Sequence, residues 1–144
     1  MKYSVNIDIN LPRKRVIELL SDSANYKKWQ PALLELEHQS GEAGSEGAKT
    51  KLVHKMGSKQ VEMIETIEKQ DLPDSQTITY VAKRVWNQVI NRFEALDEGR
   101  TRWTMESEFR CDGFMKVIAR LFPGMFKKES AKHLERFKKY AEGA

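Results

Sequence analysis

The stretch Gln88-Val-Ile-Asn-Arg-Phe-Glu-Ala-Leu-Asp-Glu-Gly-Arg-Thr-Arg-Trp-Thr-Met-Glu-Ser-Glu-Phe-Arg110 reads as two strands joined by a tight loop. Asp97-Glu98-Gly99 suits a three-residue hairpin connection with its glycine in the left-handed region. That loop sets Phe93 opposite Trp103, Asn91 opposite Met105 and Val89 opposite Ser107 on one face. On the other face Glu94 lands opposite Arg102, a favourable cross-strand charge pair. One strand earlier, Thr77 to Val85 alternates in the same way. A two-residue turn at Trp86-Asn87, where Asn tolerates the left-handed conformation, places Tyr80 opposite Phe93, Ala82 opposite Asn91 and Arg84 opposite Val89. Tyr80, Phe93 and Trp103 then form one aromatic row.

Three further strands lie upstream: Leu33 to Gln39, Lys49 to Met56 and Val61 to Lys69. Gly41 to Gly47 reads as a flexible loop and Asp71 to Ser75 as another. Gly57-Ser58 suits a tight hairpin turn. It puts Thr50, Leu52 and His54 on one face with Val61, Met63, Glu65 and Ile67, while Lys49, Lys51, Lys55, Glu62 and Glu68 point the other way. The apolar face thus carries a few polar groups: His54, Glu65, Tyr80, Asn91 and Arg84.

At the start of the chain, Tyr3, Val5, Ile7, Ile9 and Leu11 alternate with polar residues, the period of a half-buried strand. Pro12 then suits a first helical turn, and Val16, Ile17 and Leu20 follow at helical spacing. Ser21-Asp22-Ser23 ends that helix. Asn25 to Ala32 forms a second short helix or turn. From Phe114 the period is helical, with Phe114, Val117, Ile118, Leu121 and Phe122 in phase. Pro123-Gly124 interrupts it. Met125, Phe126, Ser130, Leu134, Phe137 and Ala141 resume it.

The 144 residues suit one domain, spanning 1–144. Apolar residues make up 40% and charged ones 32%, too apolar for a disordered tail and too charged for a membrane span. Residues 1–11 alternate, so no secretory signal is expected. The lone Cys111 excludes an internal disulfide and points to a reducing, cytoplasmic location. Charge is uneven: the last 31 residues carry +5 and the first 113 carry −1. The tail bases are read as the solvated face of an amphipathic helix, or as a transient contact with a membrane surface. Nucleic acid is not expected as a partner, because the aromatics share the face that a helix must cover.

Strand, two short helices, six strands and a long C-terminal helix define an α+β order. The stretches Ile7-Asp-Ile-Asn-Leu-Pro12, Leu20-Ser-Asp22 through Trp29-Gln-Pro31, Asn91-Arg-Phe-Glu94 and Gly99-Arg-Thr-Arg-Trp103, followed by the amphipathic tail, carry a resemblance. The chain resembles the helix-grip superfamily: the START-related, birch-pollen-allergen-like and polyketide cyclase/dehydrase proteins. The resemblance implies a curved antiparallel sheet of about seven strands wrapped around the C-terminal helix, with a cavity for an apolar ligand between them.

The expected function is therefore binding of a hydrophobic small molecule or lipid. Candidate ligand-binding residues are His54, Met63, Glu65, Tyr80, Asn91, Phe93, Trp103, Met105, Phe126 and Ser130, with Met125 a further adaptable wall. Ligand access is expected at the Gly41–Gly47 loop and the Pro123-Gly124 break. An enzymatic alternative of the cyclase/dehydrase type uses Glu65 and His54 as acid and base. Glu65 paired with Arg84 would argue against it. A third alternative is a protein-interaction or co-chaperone-like module or a homodimer, joined through Val53, Ile64, Val81, Val85 and Ile90 on the outer face. No metal or cofactor is expected: His38, His54 and His133 are scattered, and no metal-ligand spacing occurs.

Overall fold

The computed structural model describes residues 1–144. Seven strands form one antiparallel curved sheet: β1 (Lys2–Ile9), β2 (Leu33–Ser40), β3 (Lys49–Met56), β4 (Lys59–Asp71), β5 (Ser75–Ala82), β6 (Val85–Asp97) and β7 (Arg100–Cys111). Their order across the sheet is β1-β7-β6-β5-β4-β3-β2, so the first strand closes against the last. Between β1 and β2 lie α1 (Arg13–Ser21), a single 3-10 turn and α2 (Tyr26–Trp29). After β7 come α3 (Phe114–Leu121) and the long α4 (Pro123–Gly143). No helix is long and apolar enough to cross a membrane.

The Gly57-Ser58 turn occurs where the sequence puts it, and the registers of both hairpins match: Leu52 faces Met63, and Phe93 faces Trp103. The β6–β7 loop is shorter than the expected Asp97-Glu98-Gly99: Asp97 pairs with Arg100 after a bulge at Leu96, the turn is Glu98-Gly99, and Gly99 is not in the left-handed region. The β5–β6 turn does not occur where expected. It is made by Lys83-Arg84, with Arg84 in the left-handed region at φ 63°. The earlier turn lets Val85 and Trp86 join the ladder against Cys111 and Arg110, and the Arg110 guanidinium stacks over the Trp86 ring at 4.6 Å. Tyr80 therefore faces Asn87, not Phe93. The slip is six residues, an even number, so every side chain except those near the turn keeps its face. Val85 moves from the outer to the inner face, and Arg84 leaves the apolar face for the turn. Arg102 also takes another partner: its guanidinium forms a forked pair with Asp8 of β1 at 2.8 and 3.2 Å.

The core is built on α4. Phe137 is fully buried, with the Trp29 ring 5.1 Å away on one side and the Trp103 ring 5.3 Å away on another, both edge-on. Edge-to-face pairs of this kind add to the burial of the rings. Asn91 accepts the buried Trp103 indole N–H at 2.9 Å and so fixes that ring. Val5, Ile9, Val16, Leu19, Leu134 and Ala141 complete the packing.

Polar contacts lace α4 to β1 along its length. The Tyr3 hydroxyl meets the Ser130 hydroxyl at 2.7 Å and donates to the Phe126 carbonyl at 3.2 Å. Lys138 donates to the Asp8 carbonyl, and the Asn10 amide donates to Glu142 at 3.1 Å. Strand residues 3–10 span roughly 23 Å and helix residues 130–142 roughly 18 Å, so the two run side by side in one direction.

The Gly41–Gly47 loop is fastened to its neighbours. The Gly47 amide donates to the Ile67 carbonyl at 2.7 Å, and the Gln70 side chain donates to the Gly44 carbonyl at 3.0 Å. His38 bonds the Gly41 carbonyl at 2.7 Å.

Phe137→Ala should lower unfolding free energy by about 3–5 kcal/mol, the cost of a cavity at a fully packed aromatic site. The exposed Lys139→Ala on the same helix should change it by less than about 0.5 kcal/mol. Urea denaturation followed by circular dichroism measures both.

Candidate functional site

The inner face of the sheet is unevenly covered. Ile67, Ile78, Val89, Phe93, Trp103 and Met105 are buried, the last four in one core with the helices. Toward the β3–β4 and β5–β6 hairpin tips, the row formed by Met63, Ala82, Val85 and Cys111 is only half-buried, as are His54, Val61, Tyr80 and Asn87. The polar groups stand at this boundary between dry core and half-covered surface.

Glu65 and Tyr80 face one another on β4 and β5. Glu65 is buried at 8% exposure and forms no ion pair. Burial pushes its carboxyl up to about 7, and the Tyr80 hydroxyl opposes that shift. Tyr80 and Tyr26 of α2 are both held above the usual phenol range, first by burial and then by the Glu65 charge. Tyr26 thus brings a second hydroxyl into the neighbourhood of Glu65 from the helix above it. A carboxyl that ionises near neutrality can give or take a proton there.

A second group surrounds α4. The His133 ring lies 4.7 Å from Trp29 and 6.3 Å from Trp103. Burial, the Arg136 charge and the neighbouring His54 hold His133 down at about 4, so it is neutral. Burial lowers His54 as well. The His54 Nδ1 and Trp29 Nε1 atoms are buried and have no protein partner. Such atoms are uncommon in folded proteins, and each calls for a bound polar group or a functional reason.

These contacts sort the sequence-based candidates. Glu65, Tyr80, His54 and Met63 share the half-covered region. His54 faces Val61, four residues along β4 from Glu65, about 13 Å of strand. His54 and Glu65 therefore do not form a pair. Arg84 lies in the turn and pairs with neither. Phe93, Trp103 and Met105 belong to the packed core, and Asn91 spends its oxygen on Trp103. Phe126 is half-buried against Phe109, rings 4.8 Å apart, while Ser130 is held by Tyr3. Met125 points to solvent and forms no wall.

Tyr26, Trp29 and His133 were not among the candidate site residues read from the sequence. His133 lies three residues after Ser130 and four before Phe137, within the inner stripe of α4, and that spacing was the available signal. His54 and His133, far apart in sequence, converge in the fold. No group of three or more His, Cys, Asp or Glu side chains could hold a metal ion.

A curved antiparallel sheet gripping a long C-terminal helix, with polar side chains set into its inner face, defines a helix-grip domain. The chain belongs to the family described as "Polyketide cyclase / dehydrase and lipid transport", whose model matches residues 1–142. No curated protein matches it by sequence. Among solved structures, Ara h 8.0201 superposes with a TM-score of 0.77 at 14% identity, covering 100% of this chain and 99% of the other. The Zhui aromatase/cyclase from Streptomyces sp. R1128 gives 0.78 at 15% identity, with 99% and 93% covered. A norcoclaurine synthase point mutant from Thalictrum flavum, in complex with a transition-state analogue, gives 0.74 at 9% identity, with 99% and 94% covered. At these identities the likeness establishes the fold.

Glu65 and His133 act on stability in opposite directions with pH. The folded chain holds the Glu65 proton more tightly than the unfolded chain does, so stability falls as pH rises from 4.5 to about 7. His133 resists protonation in the fold, so stability also falls as pH drops from 6.5 to about 4. Glu65→Gln should therefore be more stable than wild type above pH 7, by up to about 3 kcal/mol, and nearly equal to it below pH 4.5. His133→Gln should flatten the acid limb. Urea unfolding across this pH range reads both.

Proposed function

We propose that this protein binds a hydrophobic small molecule or lipid against the half-covered inner face of the sheet, beneath α2 and α4. One observation carries the reading: apolar side chains left half-buried there border buried polar groups that lack partners. Met63, Ala82 and Val85 offer the apolar surface. Glu65 with Tyr80 and Tyr26 on one side, and His54 with Trp29 on the other, offer the polar anchors. Concave, mostly apolar surface with a few placed polar groups is the usual composition of a ligand site. Burying the ligand there contributes roughly 25 cal/mol per Å² before ordering costs.

The Glu65 carboxyl near pH 7 favours a second reading, an enzyme in which Glu65 moves a proton on the bound molecule. Tyr80, not His54, is then its neighbour. Family membership supports both readings, and the aromatase/cyclase and norcoclaurine synthase neighbours lend the second a scaffold precedent.

Native mass spectrometry and displacement of a naphthalene dye by fatty acids and aromatic polyketides test the first reading. An apolar ligand should bind at one equivalent. Glu65→Gln and His54→Ala should each change the affinity of a ligand with a polar head about tenfold, the equivalent of one lost anchor. Failure of every apolar ligand to bind would overturn the proposal, and unchanged affinity in both variants would remove the assigned anchors. Turnover that Glu65→Gln leaves intact would dismiss the enzymatic reading.

A further inference from the structure

The tail does not present its apolar face inward throughout. On α3 and the break after it, Phe114, Val117, Leu121, Phe122 and Met125 are all exposed, Phe114 at 73% and Leu121 at 64%. No residue of α3 is buried. At 100° per residue, Met115, Ile118 and Ala119 form the half-buried side, Phe114, Val117 and Leu121 form an apolar stripe toward solvent, and Lys116 and Arg120 form a cationic stripe beside it.

The charge follows the same segment. Residues 113–128 hold four bases, Lys116, Arg120, Lys127 and Lys128, and no acid. Residues 129–144 hold four bases and three acids, and Glu129 and Glu142 pair with Arg136 and Lys138. The basic excess of the tail therefore concentrates on α3 and the start of α4, around the exposed apolar residues, and not along the rest of α4. Arg84 adds a cation at the start of α3: a Cβ on Gly113 would stand 3.1 Å from its Nη1. Asp112 is the nearest acid in sequence, and Glu108 is already paired with Arg110 at 3.3 Å. Lys116 and Arg120 also line a cleft of about 240 Å³ with Gly113, Val117 and Leu121.

We infer that α3 is an interfacial docking helix for an anionic phospholipid surface. Exposed apolar side chains beside unpaired cations fit a bilayer, whose headgroups are negative and whose acyl layer accepts Phe and Leu. A second copy of this chain fits poorly, since it would set four cations against four. The β3–β4 and β5–β6 tips and the end of β7 share one end of the sheet, so docking through α3 turns the half-covered inner face toward the lipid. Docking does not depend on what that face binds, and either proposal can fail alone.

Co-sedimentation of the whole protein with vesicles tests this. Binding to phosphatidylcholine vesicles containing phosphatidylserine should exceed binding to phosphatidylcholine alone about tenfold, and should weaken with salt. Leu121→Glu and Phe114→Glu should each reduce it about tenfold, as should Lys116→Gln with Arg120→Gln. Phe122→Trp, with circular dichroism unchanged, should shift its emission to the blue on the same vesicles. Three results would overturn the inference: no preference for anionic vesicles, loss in the cation variant without loss in the apolar ones, or a wild-type dimer in light scattering that Leu121→Glu dissolves.

Discussion

Phe137 wedged between two indoles is the contact on which the rest of the molecule hangs. Trp29 comes from α2, Trp103 from β7 and Phe137 from α4, so three elements distant in sequence meet in one aromatic knot. Asn91 then holds the Trp103 indole from the neighbouring strand β6. Fixing α4 this way decides which part of the sheet it covers. The end near α1 is sealed, and the end near the hairpin tips is left half-covered. The candidate site lies there because one helix cannot cover seven strands.

Much of this could be read from the residues, because faces follow from parity. Alternation placed Glu65, His54, Met63 and Tyr80 on the inner face, and the slip at Lys83-Arg84 could not undo that, being even. What the alternation could not set was the position of the turn. Lys83-Arg84 carries no Gly, Asn or Asp to announce it, and Arg84 adopts φ 63° only because the lengthened ladder beyond it outweighs the local strain. The rows across the sheet therefore went astray. Tyr80 belongs with Glu65, Asn87 and Phe109, not with Phe93 and Trp103.

The site was legible in part. Glu65 stood out as a carboxyl on an apolar face, and it is buried there without an ion pair. Its neighbours did not stand out. Tyr26 and Trp29 come from a four-residue helix whose approach to the sheet depends on the 3-10 turn before it. His133 lies inside a helical stripe where polar residues usually face water. The amphipathic period of α3 was plain in the sequence, but a period tells which residues share a side and is silent on which side meets the protein.

The lacing of β1 to β7 and α4 has a kinetic consequence. The first strand of the chain pairs with residues about a hundred positions later, and Met1 exchanges hydrogen bonds with Phe109. The middle hairpins can form early from local contacts. The core cannot close until Trp103 and Phe137 have both been made, so β1 must wait beside an unfinished sheet edge. Topologies dominated by such distant pairings fold slowly. In this chain the order of synthesis and the order of assembly run against one another, and the earliest residues made are among the last to find their place.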